Sequence, residues 1–365
     1  MSLEHLVLTK TDDFTIRHAG NVHSGKVRSV YWLTPEDSQR LIRERQYPVH
    51  PSTILGVAIT SDRISAFDRN WQGEHGLSGI PGKAAVLNTI AAHWLTRLKE
   101  EGIGNHHLLE MPHPYVWIIQ KAKPILIEAI ARQYITGSLW RAYTAGEREF
   151  AGITLPDGLQ KDQQLSEILL TPTTKGTIVG LPGIAESEDA KITRPILYQH
   201  HRALQFCGAE DIETYESMVR AGFQLISKEL LEKGYVLVDD KSELGYVYTS
   251  DGRLEMIFID EKTTPDSARM WDAAAYAKGT IIEDSKEGFR QFLLTNLDRD
   301  VLLNDQRMNE RGMLARQYRV PVSEMMKVSA IYRAVAQRIT GKESPLLDQP
   351  RAEIVDVLNG YGLIE

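Results

Sequence analysis

The chain has 365 residues, of which 42% are hydrophobic and 25% are charged, and its formal net charge is -7 at pH 7. This is an ordinary globular composition for one large or two medium domains, and the negative charge argues against a general binder of nucleic acid or anionic membranes. Residues 1–10 lack the pattern of a secretory signal, and no run of about 18 apolar residues occurs, so we expect a cytoplasmic protein without a membrane anchor.

The first 120 residues or so alternate short apolar runs with turn residues, which predicts a β-rich lobe. We expect strands within residues 26–33, 53–60 and 115–120. One helix should interrupt this lobe after Pro81-Gly82, because the apolar residues from Leu87 to Leu98 recur at helical spacing. Residues 121–124 then form a connector to the second lobe.

Two Gly-Lys pairs in this lobe, Gly25-Lys26 and Gly82-Lys83, invite a phosphate-binding interpretation, because glycine lets backbone amides approach phosphate oxygens. Neither pair is a Walker A motif, since Ala84 stands where that motif needs a hydroxyl.

Residues 60–68 contain acidic, basic and hydroxyl side chains in a short segment, but they lack the Gly-x-Ser-x-Gly motif of a catalytic serine. The alternative there is a turn held by Asp and Ser side chains.

Residues 127–140 predict a strand followed by a helix, with Arg132 at the strand end and Gly137-Ser138 at the helix start. A helix N-terminus beside a guanidinium suits a monoester phosphate. The alternative is an N-capping Ser138 and a surface Arg132.

Residues 171–183, rich in Pro, Gly and Thr, predict a mobile loop able to close on a substrate.

Residues 211–233 predict a helix that stops at Gly234, and the strand 235–238 should follow at once. Asp239 and Lys241 are then expected just beyond the C-terminal end of that strand, where mixed sheets usually place ligands. Cys207 is the only cysteine, which excludes an intramolecular disulfide, and we expect it to be a buried small hydrophobe. From Ser285 onward the pattern is mainly helical.

Asp251-Gly252 between two apolar runs predicts a hairpin with a two-residue turn. That register places Glu243 directly opposite Asp260, on a face shared with Val247, Met256 and Phe258. Opposed carboxylates destabilise a sheet unless a cation lies between them, and oxygen ligands favour Mg²⁺. The alternative is a solvated hairpin end whose acids pair with Lys241, Lys262 or Arg269.

Seven segments together resemble the SAICAR synthetase family, in the order in which that family carries them. They are GKVR (25–28), SDRISAFD (61–68), IPGK (80–83), ARQYITGS (131–138), LTPTTK (170–175), VDDKSELG (238–245) and DEKTTPDSARMW (260–271). The resemblance covers about residues 25–342 and implies the ATP- and Mg²⁺-dependent joining of L-aspartate to the carboxylate of the ribonucleotide CAIR, through an acyl phosphate. The implied partners are small-molecule substrates.

The resemblance also implies an α+β fold, with an antiparallel β lobe (residues 1–122) over a larger α/β lobe (123–342), similar in outline to protein kinases, and a helical C-terminal region. The tail from residue 343 to 365 exceeds the matched part and fits either an added helix or a contact between subunits of a homo-oligomer. A customary asparagine is replaced near Lys191, which leaves the aspartate pocket unassigned.

The resemblance assigns roles to individual residues. Glu243 and Asp260 are similar to the metal-binding carboxylates, and Asp239, Lys241 and Lys175 to groups around the reacting carboxylate and transferred phosphate. ATP is expected at Gly25, Lys26, Arg28 and Lys121. The ribonucleotide phosphate is expected at Arg132, Ser138 and Arg269, and further substrate contacts at Asp62, Arg63, Ser65 and Lys83.

Two other functions stay open at this point. A small-molecule kinase on a related nucleotide-binding scaffold would phosphorylate a hydroxyl and could use Asp239 as its base. A catalytically inactive nucleotide-binding module should have lost a metal ligand, whereas Glu243 and Asp260 are both present.

Overall fold

The structure, a computed structural model, describes residues 3–365, so the first two positions of the predicted β lobe lie outside the described residues. The N-terminal lobe is built on a five-stranded antiparallel sheet of order β1-β2-β3-β7-β6. Its elements are β1 (His23–Ser24), β2 (Arg28–Trp32), α1 (Pro35–Arg45), β3 (Leu55–Thr60), β4 (Ile64–Ala66), β5 (Arg69–Gly73), α2 (Lys83–Glu100), β6 (Leu108–His113) and β7 (Val116–Gln120).

The predicted strands and α2 are confirmed in this lobe, but the prediction of a single helix is wrong. Helix α1 also forms, and its start is encoded locally, because the Thr34 side chain caps the Asp37 amide, Pro35 occupies the first turn and acidic residues follow. The lobe therefore carries two helices, and both α1 and α2 contribute buried residues to its core.

The second lobe is built around the 14-residue strand β13, which pairs with β8 on one side and with β14 and β15 on the other. Its elements are β8 (Lys123–Tyr134), α3 (Gly137–Thr144), β9 (Glu149–Phe150), β10 (Ile153–Thr154), β11 (Gln164–Leu170), β12 (Thr173–Thr174), α4 (Arg194–His200), α5 (Asp211–Glu232), β13 (Tyr235–Tyr248), β14 (Leu254–Ile259), β15 (Ala268–Asp272), α6 (Ala273–Tyr276) and α7 (Glu287–Asn296).

Helix α5 ends as predicted before Gly234, whose φ of 80° gives the left-handed turn into β13. The predicted end of the next strand at residue 238 is wrong, because β13 runs on to Tyr248. Asp239 and Lys241 therefore lie inside an antiparallel strand and not beyond a strand end. Asp239 is paired on both sides, with β8 and β15, and Lys241 is paired with β8. Cys207 is exposed, contrary to the expected burial.

The hairpin of β13 and β14 forms, but its predicted register is wrong by one residue. Glu243 lies opposite Ile259, and Tyr248 lies opposite Leu254. The loop holds one residue more than a two-residue turn, and Gly252 takes a φ of 80° before the strands resume. Since a slip of one residue exchanges the faces of a strand, Met256 and Phe258 face the core on the side opposite Glu243.

The C-terminal region is mostly helical, as predicted. Its elements are α8 (Arg299–Leu303), α9 (Met308–Gln317), β16 (Arg319–Val320), α10 (Val322–Thr340) and α11 (Pro350–Gly360). β16 pairs in parallel with β5, and α10 packs on α2. Among residues 3–365, no helix is both long enough and apolar enough to span a bilayer.

The tail after residue 343 folds back onto the N-terminal lobe as an added helix. Ile354, Leu358 and Leu363 are buried in one core with apolar residues of β2, β3 and β7. The last residues continue this contact, because Ile364 pairs with Ile16 in an antiparallel bridge. The division into 1–122, 123–342 and 343–365 stays a prediction.

Replacing Leu358 with Ala is expected to lower the free energy of unfolding by about 2–5 kcal/mol, the usual cost of a cavity at a fully buried leucine. Urea unfolding measures this loss. Leu346→Ala is the matched control, because Leu346 is 44% exposed and should lose far less. Equal losses in the two variants would mean that α11 is not docked in solution.

Candidate active site

Two arginines and one aspartate form a row across the second sheet. Asp239 in β13 pairs with Arg132 of β8 on one side and with Arg269 of β15 on the other. Its Oδ2 atom accepts hydrogen bonds from Nη1 of Arg132 at 3.2 Å and from Nη1 of Arg269 at 2.8 Å. Two guanidinium groups on one carboxylate leave a net positive charge, which suits an anionic ligand.

This row lines a cavity of about 190 Å³. Gly137 precedes Ser138 with a left-handed φ of 57°, which favours glycine, and a Cβ atom there would press against the Arg269 guanidinium. Ser138 follows in the first turn of α3 and is exposed, while the cap position belongs to Thr136. The polar and charged lining is Arg132, Ser138, Asp239, Asp240, Lys241, Asp266, Ser267, Arg269, Ser285, Lys286, Glu287 and Arg290.

A second row, four residues further along β13, is acidic. Glu243 lies directly opposite Glu128 of β8. Lys241 Nζ is 2.7 Å from Glu128 Oε1 and 3.4 Å from Glu243 Oε1, and Lys175 also pairs with Glu243. Asp239, Lys241 and Glu243 are every second residue of one strand, so their side chains lie on the same face of the sheet. Both rows therefore project from that face.

Burial and neighbouring charges shift the pKa values of the groups in this acidic row. Glu243 is only 4% exposed, and burial raises its pKa, an effect that the Asp260 charge reinforces and Lys175 and Lys241 oppose. For Lys241, burial acts to lower the pKa but the charges of Glu243 and Glu128 outweigh it, so the pKa is raised. The row therefore pairs two acids of low exposure with two partly exposed lysines, and it is not a solvated hairpin end.

Asp260 reaches the same region although it does not face Glu243 in the sheet. It follows β14 with a left-handed φ of 61°, a conformation that Asp tolerates better than most residues, and this redirects its side chain. Burial would raise its pKa, but the charges of Arg28, Lys175 and Lys241 lower it to about 2. Asp260 also forms an ion pair with Arg28 of β2, which joins the two lobes.

The turn that carries Gly25 and Lys26 is fixed from the neighbouring segment. The Gly25 carbonyl accepts a hydrogen bond from Arg63 Nη2 at 3.1 Å, and the Ser61 amide donates to the Val27 carbonyl at 2.7 Å. Lys26 remains mostly exposed, and its Nζ atom is 2.7 Å from Asp68 Oδ1. In this structure Arg63 therefore stabilises the turn through its hydrogen bond to the Gly25 carbonyl.

Asp62 and Lys83, both predicted to contact substrate, are completely buried. Asp62 accepts hydrogen bonds from the amides of Leu8 and Ala84 and from the Tyr115 hydroxyl, and burial raises its pKa to about 7. These contacts tie the start of α2 to the sheet.

Lys83 forms an ion pair of 2.8 Å with Asp266, which also accepts a 2.8 Å hydrogen bond from the Tyr332 hydroxyl. Lys286 lies 3.7 Å from the same carboxylate and lines the cavity. The structure thus places Lys83 behind the cavity wall, one ion pair away from its surface.

The other predicted contacts lie further apart. Lys121 sits between β7 and β8, with its ammonium 5.1 Å from the centre of the Trp32 ring. Ser65 is partly buried in β4, opposite Asn70. Neither residue contacts the two rows on β13 through a hydrogen bond or ion pair that the structure shows within residues 3–365.

Sequence reasoning missed Glu128, Asp266, Lys286 and Arg290. Glu128 could have been found, because it precedes Arg132 by four residues on the same strand and therefore shares its face. Asp266 lies inside the segment 260–271 that carries the resemblance. Lys286 and Arg290 come from the next helical segment, and only the packing of that segment brings them to the cavity.

His106 provides a pH-dependent test of the packing between the lobes. Burial, with the Lys99 charge, lowers the pKa of His106 to about 4. The unfolded chain, with an imidazole pKa of about 6.5, binds more protons than the folded one below that value, so acidification from pH 7 to 5 should cost about 2 kcal/mol through this residue.

The His106→Gln variant cannot ionise there, so its decrease in unfolding free energy between pH 7 and 5 should be smaller by about that amount. Urea unfolding at the two pH values measures the difference. The exposed His23, replaced by Gln, is the control and should leave the decrease unchanged. An unchanged decrease for His106→Gln would show that His106 is not buried.

The sequence profile of the SAICAR synthetase family matches residues 21–301. A phosphoribosylaminoimidazole-succinocarboxamide synthase of Vibrio parahaemolyticus is 52% identical over 367 residues, covering 100% of both chains. The enzyme of the same name from Shewanella amazonensis is 53% identical over 367 residues, again with 100% of each chain covered.

Solved structures show the same fold. SAICAR synthase from Saccharomyces cerevisiae, in complex with SAICAR, matches 92% of this chain and 98% of its own, with a TM-score of 0.65 at 23% identity. A SAICAR synthetase in complex with ADP matches 89% of this chain and 100% of its own, with a TM-score of 0.57 at 19% identity. The predicted α+β class with antiparallel sheets is confirmed.

Proposed function

The chain belongs to the SAICAR synthetase family, and from this premise we propose how its residues make SAICAR. It is a ligase of purine biosynthesis that joins the amine of L-aspartate to the carboxylate of CAIR. In our proposal, the reaction uses ATP and Mg²⁺. The row of Arg132, Asp239 and Arg269 binds the ribonucleotide, and the acidic row around Glu243 serves phosphoryl transfer. A cytoplasmic location is part of the proposal.

The observation that carries the proposal is that both rows project from one face of one strand. Asp239 and Glu243 are four residues apart, which corresponds to about 13 Å in a strand. A ribonucleotide lying along this face can place its phosphate at Arg132 and Arg269 while its far end approaches Lys241 and Glu243. The ribonucleotide is then held at both ends by fixed side chains, which favours reaction by orientation.

A carboxylate must be activated before an amine can displace one of its oxygens. We propose that a CAIR carboxylate oxygen attacks the γ-phosphorus of ATP, so that the bond to ADP breaks and an acyl phosphate forms. The aspartate amine then attacks the acyl carbon, the bond to phosphate breaks, and the nitrogen loses a proton. Lys175 and Lys241 lie beside Glu243, where they would balance the negative charge gathered in these steps.

The donors at this site fit Mg²⁺. Glu243 and Asp260 offer carboxylate oxygens, and the buried Glu243 has a raised pKa that a nearby cation would oppose. Within residues 3–365 no group of three or more acidic, His or Cys side chains is arranged to hold a metal ion, so phosphates and water would complete the shell. When bound, Mg²⁺ would neutralise charge on the phosphates.

ATP is proposed to lie between the lobes, over the turn of Gly25 and Lys26. The Lys26 side chain is exposed beside Asp68, so a phosphate can reach its ammonium group. Arg28 reaches across the lobes to Asp260, so the nucleotide side and the acidic row are already connected by an ion pair. Lys121 marks the connector that would border adenine.

The direct test is a coupled assay with purified protein, CAIR, L-aspartate and MgATP. ADP and phosphate should appear together with SAICAR only when all three substrates are present. ADP release that needs no aspartate would favour the alternative, a small-molecule kinase with Asp239 as base. That alternative is weakened by the structure, because Oδ2 of Asp239 already accepts hydrogen bonds from Arg132 and Arg269.

A further inference from the structure

We propose that Arg311 positions Lys26 for nucleotide binding by holding the turn that carries Asp68. Arg311 lies in α9, outside the residues 21–301 that the family profile matches. The proposal rests on the proposed role of Lys26 at the ATP phosphates. It assigns to the C-terminal region a function in the ligand-binding cleft.

The turn concerned joins β4 to β5 and is conformationally costly. Its two residues, Phe67 and Asp68, have left-handed φ values of 53° and 57°. Such a two-residue turn normally contains Asn or Gly, and a bulky residue in this region costs about 1–3 kcal/mol unless its surroundings impose the conformation. Other contacts must therefore stabilise this turn.

The C-terminal region supplies those contacts. Arg311 is 2% exposed, and its Nη1 atom donates to the Phe67 carbonyl at 3.4 Å. Its guanidinium is anchored by the Val301 carbonyl at 3.1 Å and by Asp305 at 3.2 Å. A buried guanidinium bound to backbone carbonyls has few alternative positions, so it holds the turn at a defined place.

A second contact reinforces the first. Arg69, the residue after the turn, donates to the Asp68 carbonyl at 3.1 Å and to the Met308 carbonyl of α9 at 3.0 Å. Both sides of the turn are therefore tied to the same short segment of the C-terminal region.

Asp68, within this turn, also binds Lys26. Asp68 Oδ1 accepts from Lys26 Nζ at 2.7 Å, and this bond is the main reason why the pKa of Asp68 is lowered, with smaller contributions from Arg311 and Arg69. Lys26 is 62% exposed and would otherwise sample many rotamers. The path from Arg311 to Lys26 thus consists of two direct contacts through a strained turn.

The test compares Arg311→Met with Arg307→Met, both in the purified full-length protein. Arg307 lies on the same segment but pairs with Asp300 and Glu310, away from the turn. Arg311→Met should raise KM for ATP about 3- to 10-fold while kcat and KM for CAIR change less than twofold. Arg307→Met should leave all three values within twofold. Arg311→Lys should give an intermediate KM for ATP, since it keeps the charge but not the fork.

Asp68→Asn tests the path itself. It should raise KM for ATP by a similar factor, and adding Arg311→Met should raise it no further, because both changes release the same lysine. Additive effects, or equal changes in KM for ATP and CAIR, would overturn the proposal. If Arg311→Met does not fold, Arg311→Lys and Asp68→Asn decide the matter alone.

The wild-type assay separates this inference from the proposed function. If the wild-type protein makes SAICAR but Arg311→Lys and Asp68→Asn leave KM for ATP unchanged, only the positioning role is rejected. ADP binding by calorimetry gives a second readout, with the same order of affinities expected among the variants.

Discussion

Replacing Asp260 with Asn should lower Mg²⁺-dependent turnover by about 10²- to 10³-fold, since a lost metal ligand removes several kcal/mol of charge stabilisation in the transition state. Asn keeps the size of the side chain and its left-handed backbone, so the fold should persist. The Mg²⁺ concentration that gives half-maximal rate should rise, and thermal unfolding should show that the variant is folded.

Asp251→Asn is the matched control, because Asp251 lies at the tip of the same hairpin and pairs only with its neighbours Thr249 and Arg253 among the contacts seen in residues 3–365. It should leave both rate and Mg²⁺ dependence unchanged. Full activity of Asp260→Asn at low Mg²⁺ would remove Asp260 from the metal site. A large loss of stability would instead point to its ion pair with Arg28.

Replacing Arg269 with Ala is expected to raise KM for CAIR about 10- to 100-fold, because a hydrogen bond to a charged group contributes about 1.5–3 kcal/mol. Arg132 still faces Asp239 in this variant, but the row loses its excess positive charge. KM for ATP should change less than twofold. Initial-rate kinetics with each substrate varied in turn measure the split.

The control for this change is Arg253→Ala, an exposed arginine in the hairpin loop of the same sheet. It should alter neither KM value. Equal increases in KM for CAIR and ATP in Arg269→Ala would place Arg269 outside the ribonucleotide pocket, or would mean that its loss disturbs the whole sheet.

Local patterns predicted helices around the site but not the full length of the strand that carries it. Helical spacing predicted α2 and α5, and the resemblance named Asp239, Lys241 and Glu243, which the structure places on one face of β13. Their alternation along the chain is itself the sign of a strand face. The continuation of β13 past Val238 was missed because charged residues inside a strand look like the end of one.

The hairpin shows why register is harder. Asp-Gly in a loop is compatible with both two-residue and longer connections, and the two differ by one residue in pairing. The structure has the longer loop, so Glu243 faces Ile259 across β14 and Glu128 across β8. Asp260 still approaches the acidic row, but only through its left-handed backbone, which no apolar pattern indicates.

The burial of Asp62 and Lys83 could not be predicted from local sequence patterns either. Asp62 and Lys83 stand in segments that carry the family resemblance, yet their partners Tyr115 and Asp266 are distant in sequence. Polar residues in a motif can serve the frame of a site as well as its surface, and only tertiary contacts distinguish the two.

The docked tail also makes the first lobe depend on residues far along the chain. Leu358 and Leu363 belong to the same core as Tyr31 and Val57, and the Glu365 amide donates to the Thr15 carbonyl at 2.8 Å. Contacts between segments so distant in sequence form slowly during folding. The sheet of this lobe therefore stays incompletely covered until residues 354–363 have been made and have docked on it.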